Sequence, residues 1–398
     1  MKPTFAYIQN QRIPNQFAHS IYVVKVCEAA QKLGYKSHLL IPAKKQPRHF
    51  ARRNIWDYYG IKKDFFKVVK FKVPQIEKQP FALEVFLRHL RHQLVTWAFA
   101  LKAVFYLIKE KIEIVETIDR EVIFLLRLIF WYRPQVIYDV HIGPQTWYEK
   151  LFDHLAMPKI DLFIANCQFF KNYYQKKGIN QNKIIVLPNG FDPLDYRSLP
   201  NKKGARKKLR LPLDKFIIGY TGRFENIGGE RCVPQMLKAA CKLKNTIPVC
   251  ILALGGPEKL VLKYRRMAEK LGFASNEAII RSQVRPSKVP LYLAALDTAC
   301  MLYPKTKHYL YKMSPLKAGE YMAAQRPIIA SDLPSIRQLV NEKSAYLVDS
   351  DNQKELEQAI IKIWENPKKA RQKTQKAYQF IKNFTWQKRQ KKVFKSLP

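Results

Sequence analysis

Acid is what this sequence is short of. It carries 31 Asp and Glu against 71 Lys and Arg in 398 residues, a formal net charge of +40. An imbalance of that size points first to phosphate-rich partners. The excess is spread along both halves, with denser runs at 201–210 (NKKGARKKLR) and from Lys368 to Lys395, where eleven Lys or Arg occur without an acid. Such runs suit an anionic membrane or nucleic acid; the plainer alternative is a Lys-rich chain with well-solvated faces.

Other absences narrow the class further. The six cysteines show no CxxC spacing and the eight histidines no ligand spacing, which excludes a Cys- or His-built metal centre and leaves buried thiols in a reducing compartment. His89 and His92 stand three apart, but beside Arg88 and Arg91 they read as a solvated face. MKPTFAYIQNQ at the start has no apolar signal region, so a cytoplasmic location is expected. The longest apolar stretch, LVTWAFALKAVFYLI at 94–108, contains Lys102 and falls short of the roughly 20 residues that a spanning helix needs. No short repeat period appears, which excludes a solenoid.

What is present is alternation. Apolar runs bounded by turn residues recur: TFAYIQ, SHLLIP, IEIVET, QVIYDVH, DLFIAN and IIVLPNG, then FIIGYTG, VCILALGG, AIIRS, LDTACMLYP, RPIIASD and AYLVD. They read as buried parallel strands. Amphipathic segments of helical length separate them, such as 21–34, which closes on Gly34. The series occurs twice, on either side of a polar stretch near 192–212. With 47% apolar content and a length beyond one core, the expectation is α/β: two Rossmann-like, doubly wound parallel-sheet domains facing across a cleft. Ligands then bind beyond the carboxyl ends of the strands.

Candidate site residues lie in those loops. In GYTGRFENIGGER, a strand runs into a Gly-rich turn at Gly222, where backbone can approach a ligand and Arg223 offers a permanently charged fork for phosphate. In SPLKAGEYMAAQRPIIASDLP, Ser314 is placed as N-cap and Pro315 at the first helical position, so that the following amides face an anion. Glu320 follows on the same helix, where its carboxylate can accept two hydrogen bonds from a ribose diol; a solvated helix Glu is the alternative. His141 ends a strand as either a ligand contact or a structural His, and Asn189 in LPNG reads as a turn residue. Asp349 and Asp351 form a DSD that reads as a turn and N-cap ahead of a helix rather than as a metal motif.

Taken together, His141, IANCQFFKNYYQKKGINQNKIIVLPNGFDP, GYTGRF, LALGGPEKL, VPLYLAALDTACMLYP and the SPLKAGEYMAAQRP stretch resemble the retaining glycosyltransferases of family 4, with the GT-B fold. The resemblance covers nearly the whole chain and is densest from 160 to 350. It implies metal-independent transfer of a sugar from a nucleotide diphosphate donor, with no other cofactor, to a glycan or lipid-linked acceptor of the cell envelope. It implies a domain at 1–195 on the acceptor side, where contact with an anionic membrane surface is expected, a donor domain at 196–380, and a C-terminal helix at 381–398 returning to the first domain. Location would be cytoplasmic and peripheral on the inner membrane face.

By the same resemblance, Arg223 neutralises the leaving diphosphate, the amides around Ser314, Pro315 and Leu316 hold it, Glu320 grips the ribose and His141 lies near the reacting sugar. The chain departs from the family pattern at Lys312, where a second Glu usually stands, and at Gly229, where a phosphate-binding Lys usually stands; Arg231 is the nearest basic substitute. Ser282 and Gln325 replace small residues. Other readings are a divergent or inactive relative, a sugar-nucleotide epimerase on the same fold and, from another class, a basic nucleic-acid-binding protein. No specific nucleic acid is expected, because the aromatics follow core-like patterns.

Overall fold

The computed structural model describes residues 3–46, 50, 53–74, 84–141, 143–144, 146–157, 160–196, 198–226 and 229–398, with backbone alone at 84–90, 194, 195 and 226. The chain forms two compact units, one of residues 1–187 with 386–398 and one of 188–385.

In the first unit, strands β1 (Thr4–Ile8), β2 (Lys36–Pro42), β3 (Lys67–Phe71), β4 (Ile114–Thr117), β5 (Gln135–Val140), β6 (Leu162–Ala165) and β7 (Ile184–Val186) form one sheet in the order β3-β2-β1-β4-β5-β6-β7. Every pairing in it is parallel. Six of these strands match the apolar runs of the sequence. The seventh, β3, reads KVVKF; it is an edge strand with partly exposed side chains, so it never presents the continuous apolar run of a central parallel strand. Helix Ala18–Lys32 follows β1 and ends where Gly34 turns at φ +87° and its amide donates to Gln31 O.

The second unit repeats the plan. Strands β8 (Phe216–Thr221), β11 (Val249–Gly255), β12 (Ala278–Ser282), β13 (Thr298–Met301), β14 (Ile328–Ser331) and β15 (Tyr346–Val348) form a parallel sheet in the order β12-β11-β8-β13-β14-β15. A two-stranded antiparallel hairpin, β9 (Glu225–Asn226) with β10 (Gly229–Glu230), stands apart from it. Strand β8 sends Phe216, Ile218 and Tyr220 into one core and Ile217 into the other, and β11 divides Val249, Ile251 and Ala253 from Cys250, Leu252 and Leu254 in the same way. That two-sided burial follows from the period-2 alternation of a strand covered by helices on both faces.

Both sheets reverse direction beside their first strand, between β1 and β4 and between β8 and β13. In an open parallel sheet, that reversal leaves a crevice at the carboxyl ends of the two strands. In the second unit, the loops that leave β8 and β13 carry the Gly-Arg turn and the Ser-Pro-Leu-Lys segment.

Candidate active site

Strand β8 ends at Thr221, and Gly222 follows with φ +123°, a conformation that an L side chain rarely adopts. Its amide donates to Leu254 O at 2.7 Å, and the next turn is tied by Phe224 N to Gly256 O at 2.9 Å and Arg231 N to Phe224 O at 2.8 Å. The position a Cβ would take on Gly222 is filled by Nζ and Cε of Lys317. Glycine is required there because a lysine crosses over its α-carbon.

Lys317 comes from the helix Leu316–Ala323, which follows β13. That helix starts one residue later than the sequence suggests. Pro315, at φ −74° and ψ 127°, is the N-cap, and no side chain caps the helix. Ser314 is therefore not the cap: Pro315 itself keeps an extended backbone, so the helix begins only after it, and the Ser314 hydroxyl oxygen is buried without a hydrogen-bond partner among the described residues. Leu316 becomes the first helical residue and Lys317 the second, so their amides head the helix.

Two contacts seat this segment. Asn189 donates from Nδ2 to Ser314 O at 2.6 Å, so a residue read as a turn former also positions the helix start. The Phe191 ring occupies the place of a Cβ on Gly319, which lets the helix approach the chain entering the unit.

Three charged groups meet at this helix start. Arg231 is buried; it donates from Nε to the Tyr309 hydroxyl at 3.0 Å, with its guanidinium 5.3 Å from the Tyr303 ring centroid and 5.2 Å from that of Tyr309. Lys317 Nζ lies 5.1 Å from the Tyr220 ring centroid. Glu320 sits one turn further along. Burial and the neighbouring Arg231 push the Lys317 ammonium down to about 7, and Glu320 works against that shift. Burial raises Glu320 in turn, opposed by Lys317. Arg223 extends from the turn and donates from Nε to Glu225 O at 3.3 Å. Lys312 is the C-cap of helix Lys307–Tyr311. Gly229 takes φ +107° in the hairpin; its neighbours 227 and 228 lie outside the described residues.

His141 belongs to the first unit, immediately after β5. Its Nε2 stands 3.0 Å from Asp139 Oδ2, which also accepts from the Tyr7 hydroxyl at 2.9 Å. The His19 and Tyr22 rings pack edge-on against His141, each at 4.7 Å between centroids. Burial works against the Asp139 charge, but His141 beside it holds the carboxyl well below the usual range. An imidazole fixed in this way by a carboxylate has one ring nitrogen committed and the other available. Burial and His141 together lower His19 to about 3.

The remaining candidates resolve simply. Asp349 accepts from Asp351 N and pairs with Lys305, while Asn352 caps the next helix; the DSD is a turn. Among the described residues no group of three or more His, Cys, Asp or Glu could hold a metal ion. All six cysteines are unbridged. His92 is exposed, and the side chain of His89 lies outside those described.

The sequence pattern of the glycosyl transferases group 1 matches residues 201–380, and that of Glycosyltransferase Family 4 matches 19–193. The two glycosyltransferase patterns thus fall one on each half of the chain, and the two parallel-sheet units are those of the GT-B fold. Among curated relatives, the D-inositol 3-phosphate glycosyltransferase of Corynebacterium urealyticum is 24% identical over 226 residues, covering 54% of this chain and 51% of that protein. The chain spans about half the length of that relative. Among solved structures, Anabaena HepE in complex with UDP and glucose superposes with a TM-score of 0.71 at 15% identity, over 100% of both chains. The sucrose-phosphate synthase of Thermosynechococcus elongatus gives 0.73 at 17% identity, over 99% of this chain and 98% of that one. These two likenesses concern the fold.

Within this GT-B chain, the structure gathers Gly222, Arg231, Leu316, Lys317 and Glu320 at the β8/β13 reversal. Sequence reasoning passed over Lys317. The signal was present in SPLKAGE, where Lys and Glu stand three apart and share a helix face, but only the fold brings that Lys to the Gly-Arg turn.

Proposed function

We propose that this GT-B glycosyltransferase moves a sugar from a nucleotide diphosphate donor to a cell-envelope glycan or glycolipid, with retention of anomeric configuration. The carrying observation is the cationic cluster at the β8/β13 reversal, where two strand-end loops and a helix start supply Arg231, Lys317 and the amides of Leu316 and Lys317 at the head of the helix. Arg223 on the turn would stabilise charge on the leaving diphosphate, Glu320 would accept from the ribose, and His141, oriented by Asp139, would meet the reacting sugar. The UDP and glucose named with Anabaena HepE support a nucleotide-sugar partner. The charge on the leaving group is met in this reading by side chains and amides, so no divalent metal is required.

The test is a panel of nucleotide sugars screened for thermal stabilisation, followed by turnover with the donor that stabilises most, with and without EDTA. One donor should stabilise and turn over at a rate that chelation leaves nearly intact. Stabilisation by none would favour the inactive-relative reading, and a rate lost with EDTA and restored by manganese would end the metal-free one.

A membrane partner fits the same reading. Of the fifteen exposed large apolar side chains among the described residues, nine fall between 94 and 155: Leu94, Leu101 and Phe105; Leu128, Phe130 and Trp131; Trp147, Leu151 and Leu155. They lie on and beside helices Glu84–Lys109, Arg120–Leu128 and Trp147–Ala156, which are tied by Trp97, Phe124 and Phe152, with Phe124 and Phe152 at 4.9 Å. Exposed Arg91, Lys102, Lys109, Arg133 and Lys150 accompany them. Aromatic and aliphatic groups with basic neighbours suit an anionic bilayer interface. Among the described residues, no helix is long and apolar enough to cross a membrane. Flotation with anionic vesicles should show binding at low salt that high salt removes. Equal binding to neutral vesicles, or none to either, would overturn the electrostatic account.

A further inference from the structure

We infer that Arg389, brought into the first unit by the C-terminal helix, is a positioning residue for His141. Acting through Tyr22 and Asp139, it balances the carboxylate that holds the ring, so that the ring nitrogen not bonded to Asp139 stays unprotonated and accepts a hydrogen bond from a sugar hydroxyl. The inference rests on the reading of His141 given above and concerns a residue which that reading does not use.

Tyr22, on helix Ala18–Lys32, is where the two residues meet. Its ring packs edge-on against His141 at 4.7 Å between centroids, and the Arg389 guanidinium lies over it at 4.8 Å and donates to its hydroxyl. Trp386, on the same helix as Arg389, packs edge-on against the Tyr22 ring at 5.4 Å, and Gln390 donates to Glu116 Oε2 on β4 at 2.9 Å. The helix that carries Arg389 is thereby fixed at this spot. A buried guanidinium is costly unless charge answers it. Burial opposes the Arg389 charge, and Tyr22, Asp139 and Glu116 favour it. Burial opposes the Asp139 charge as well, and His141 and then Arg389 sustain it.

The charges in this cluster are few. The titratable groups around Asp139 among the described residues are Tyr7 on β1, His19 and Tyr22 on the first helix, Glu116 on β4, His141 after β5 and Arg389. Burial, reinforced by Asp139, raises Glu116 to about 8, which leaves it uncharged at neutral pH. Burial and His141 lower His19 to about 3, and its Nε2 stands 2.7 Å from Gln9 Oε1. Burial raises both Tyr7 and Tyr22 well above the ordinary range. One anion, Asp139, then faces one cation, Arg389. With that balance Asp139 needs from His141 only the hydrogen bond at Nε2. Without Arg389 the buried carboxylate is left uncompensated, and a second proton on the imidazole is the nearest charge that can answer it. An imidazolium has no acceptor nitrogen. An arginine that merely anchored its helix would leave the titration of the ring where it is.

The experiment is NMR of the full chain with its histidine rings labelled, titrated from about pH 5 to about pH 7.5. The His141 signal is identified by its loss in His141→Gln. Arg389→Gln removes the charge and keeps an amide for the Tyr22 hydroxyl, Arg389→Met removes both, and Arg389→Lys restores the charge. Thermal melting of each variant verifies folding. In Arg389→Gln and Arg389→Met, His141 should titrate about one pH unit above the wild type, a tenfold gain in proton affinity. In Arg389→Lys it should stay close to the wild type. Glu116→Gln should leave the titration in place, because Glu116 already carries no charge in that range. If Arg389→Met does not fold, Arg389→Gln and Arg389→Lys decide. Titration at the wild-type pH in Arg389→Gln would overturn the inference. So would an equal shift in Arg389→Lys, which would mark packing rather than charge. The pH profile of kcat/KM, with the donor that turns over, separates this inference from the reading beneath it: its acidic limb should move with the His141 titration in Arg389→Gln. A limb that stays while the ring's titration moves, or turnover unimpaired in His141→Gln, would instead remove His141 from the reaction.

Discussion

Arg223 and Glu320 differ in what they meet as a reaction proceeds. A leaving diphosphate gains charge as the glycosidic bond breaks, whereas a ribose is unchanged by the chemistry. Arg223→Ala is expected to lower kcat about 100- to 1000-fold with a smaller effect on donor affinity, as for the loss of one preorganised donor at a developing charge. Glu320→Gln is expected chiefly to weaken donor binding, because uniform binding enters KM rather than kcat. The structure adds a second consequence. Glu320 supports the proton on Lys317, so Glu320→Gln should weaken the nucleoside diphosphate more than the nucleoside. Steady-state kinetics with calorimetry on both variants separates the roles, and unchanged binding and turnover in both would remove them from the site.

At the scale of elements, the C-terminal helix Trp386–Lys395 shows how a charge run is divided by a fold. In sequence it closes the basic stretch that begins at Lys368, yet its residues do not share one fate. Lys388, Lys391, Lys392 and Lys395 are exposed, while Arg389 is 5% exposed and lies over the Tyr22 ring at 4.8 Å, with a hydrogen bond to the Tyr22 hydroxyl. Gln390 donates to Glu116 Oε2 at 2.9 Å, and Phe394 packs edge-on against Phe5 at 5.4 Å. The run at 201–210 is divided likewise: Arg206 is buried and bonds Ala295 O, Leu213 O and Lys215 O. Deleting 386–398 should expose the Tyr22 and Phe5 surfaces and leave Glu116 without its partner. We expect the first unit of the truncated chain to lose its cooperative melting transition and to become protease-sensitive, measured by thermal denaturation and limited trypsin digestion against the intact chain. An unchanged melt would make the helix dispensable to that unit.

Across the whole molecule, buried acids set a pH dependence that net charge alone does not. Burial, reinforced by Asp139, raises Glu116 to about 8, and burial, reinforced by Glu121, raises Asp119 to about 7. Both hold protons in the folded state that an unfolded chain releases above about pH 4. The unfolded state therefore binds fewer protons from about pH 4.5 upward, and stability contributed at these positions falls until the folded groups ionise near pH 7 to 8. Thermal melts at pH 5.5 and 8 should show a lower Tm at the higher pH, and Glu116→Gln should reduce that difference by removing one of the two groups. A difference of the same size in Glu116→Gln would exclude Glu116 as a source.

The sequence by itself determined the alternation of buried strands and amphipathic helices, because fully buried parallel strands must be continuous apolar runs and twelve of them stand out in the chain. It also marked the Gly-Arg turn and the Glu320 helix as places for chemistry. It did not mark β3, whose edge position permits lysines at alternate places, nor the short β9–β10 hairpin, which has no hydrophobic face to sort it. It put the helix start one residue early, because Ser-Pro carries the cap signature while the backbone of Pro315 stays extended. Only the tertiary structure decided which charges are buried in packing and which come together at the strand ends. Arg206 and Arg389 are buried against their neighbours, and Lys317, whose spacing from Glu320 gives a shared helix face but not what that face meets, reaches Gly222 because the sheet reverses between β8 and β13 and brings two loops ninety-five positions apart to the same strand ends. Local spacing encodes which face of a helix a residue occupies; what that face meets is set by pairings between distant strands.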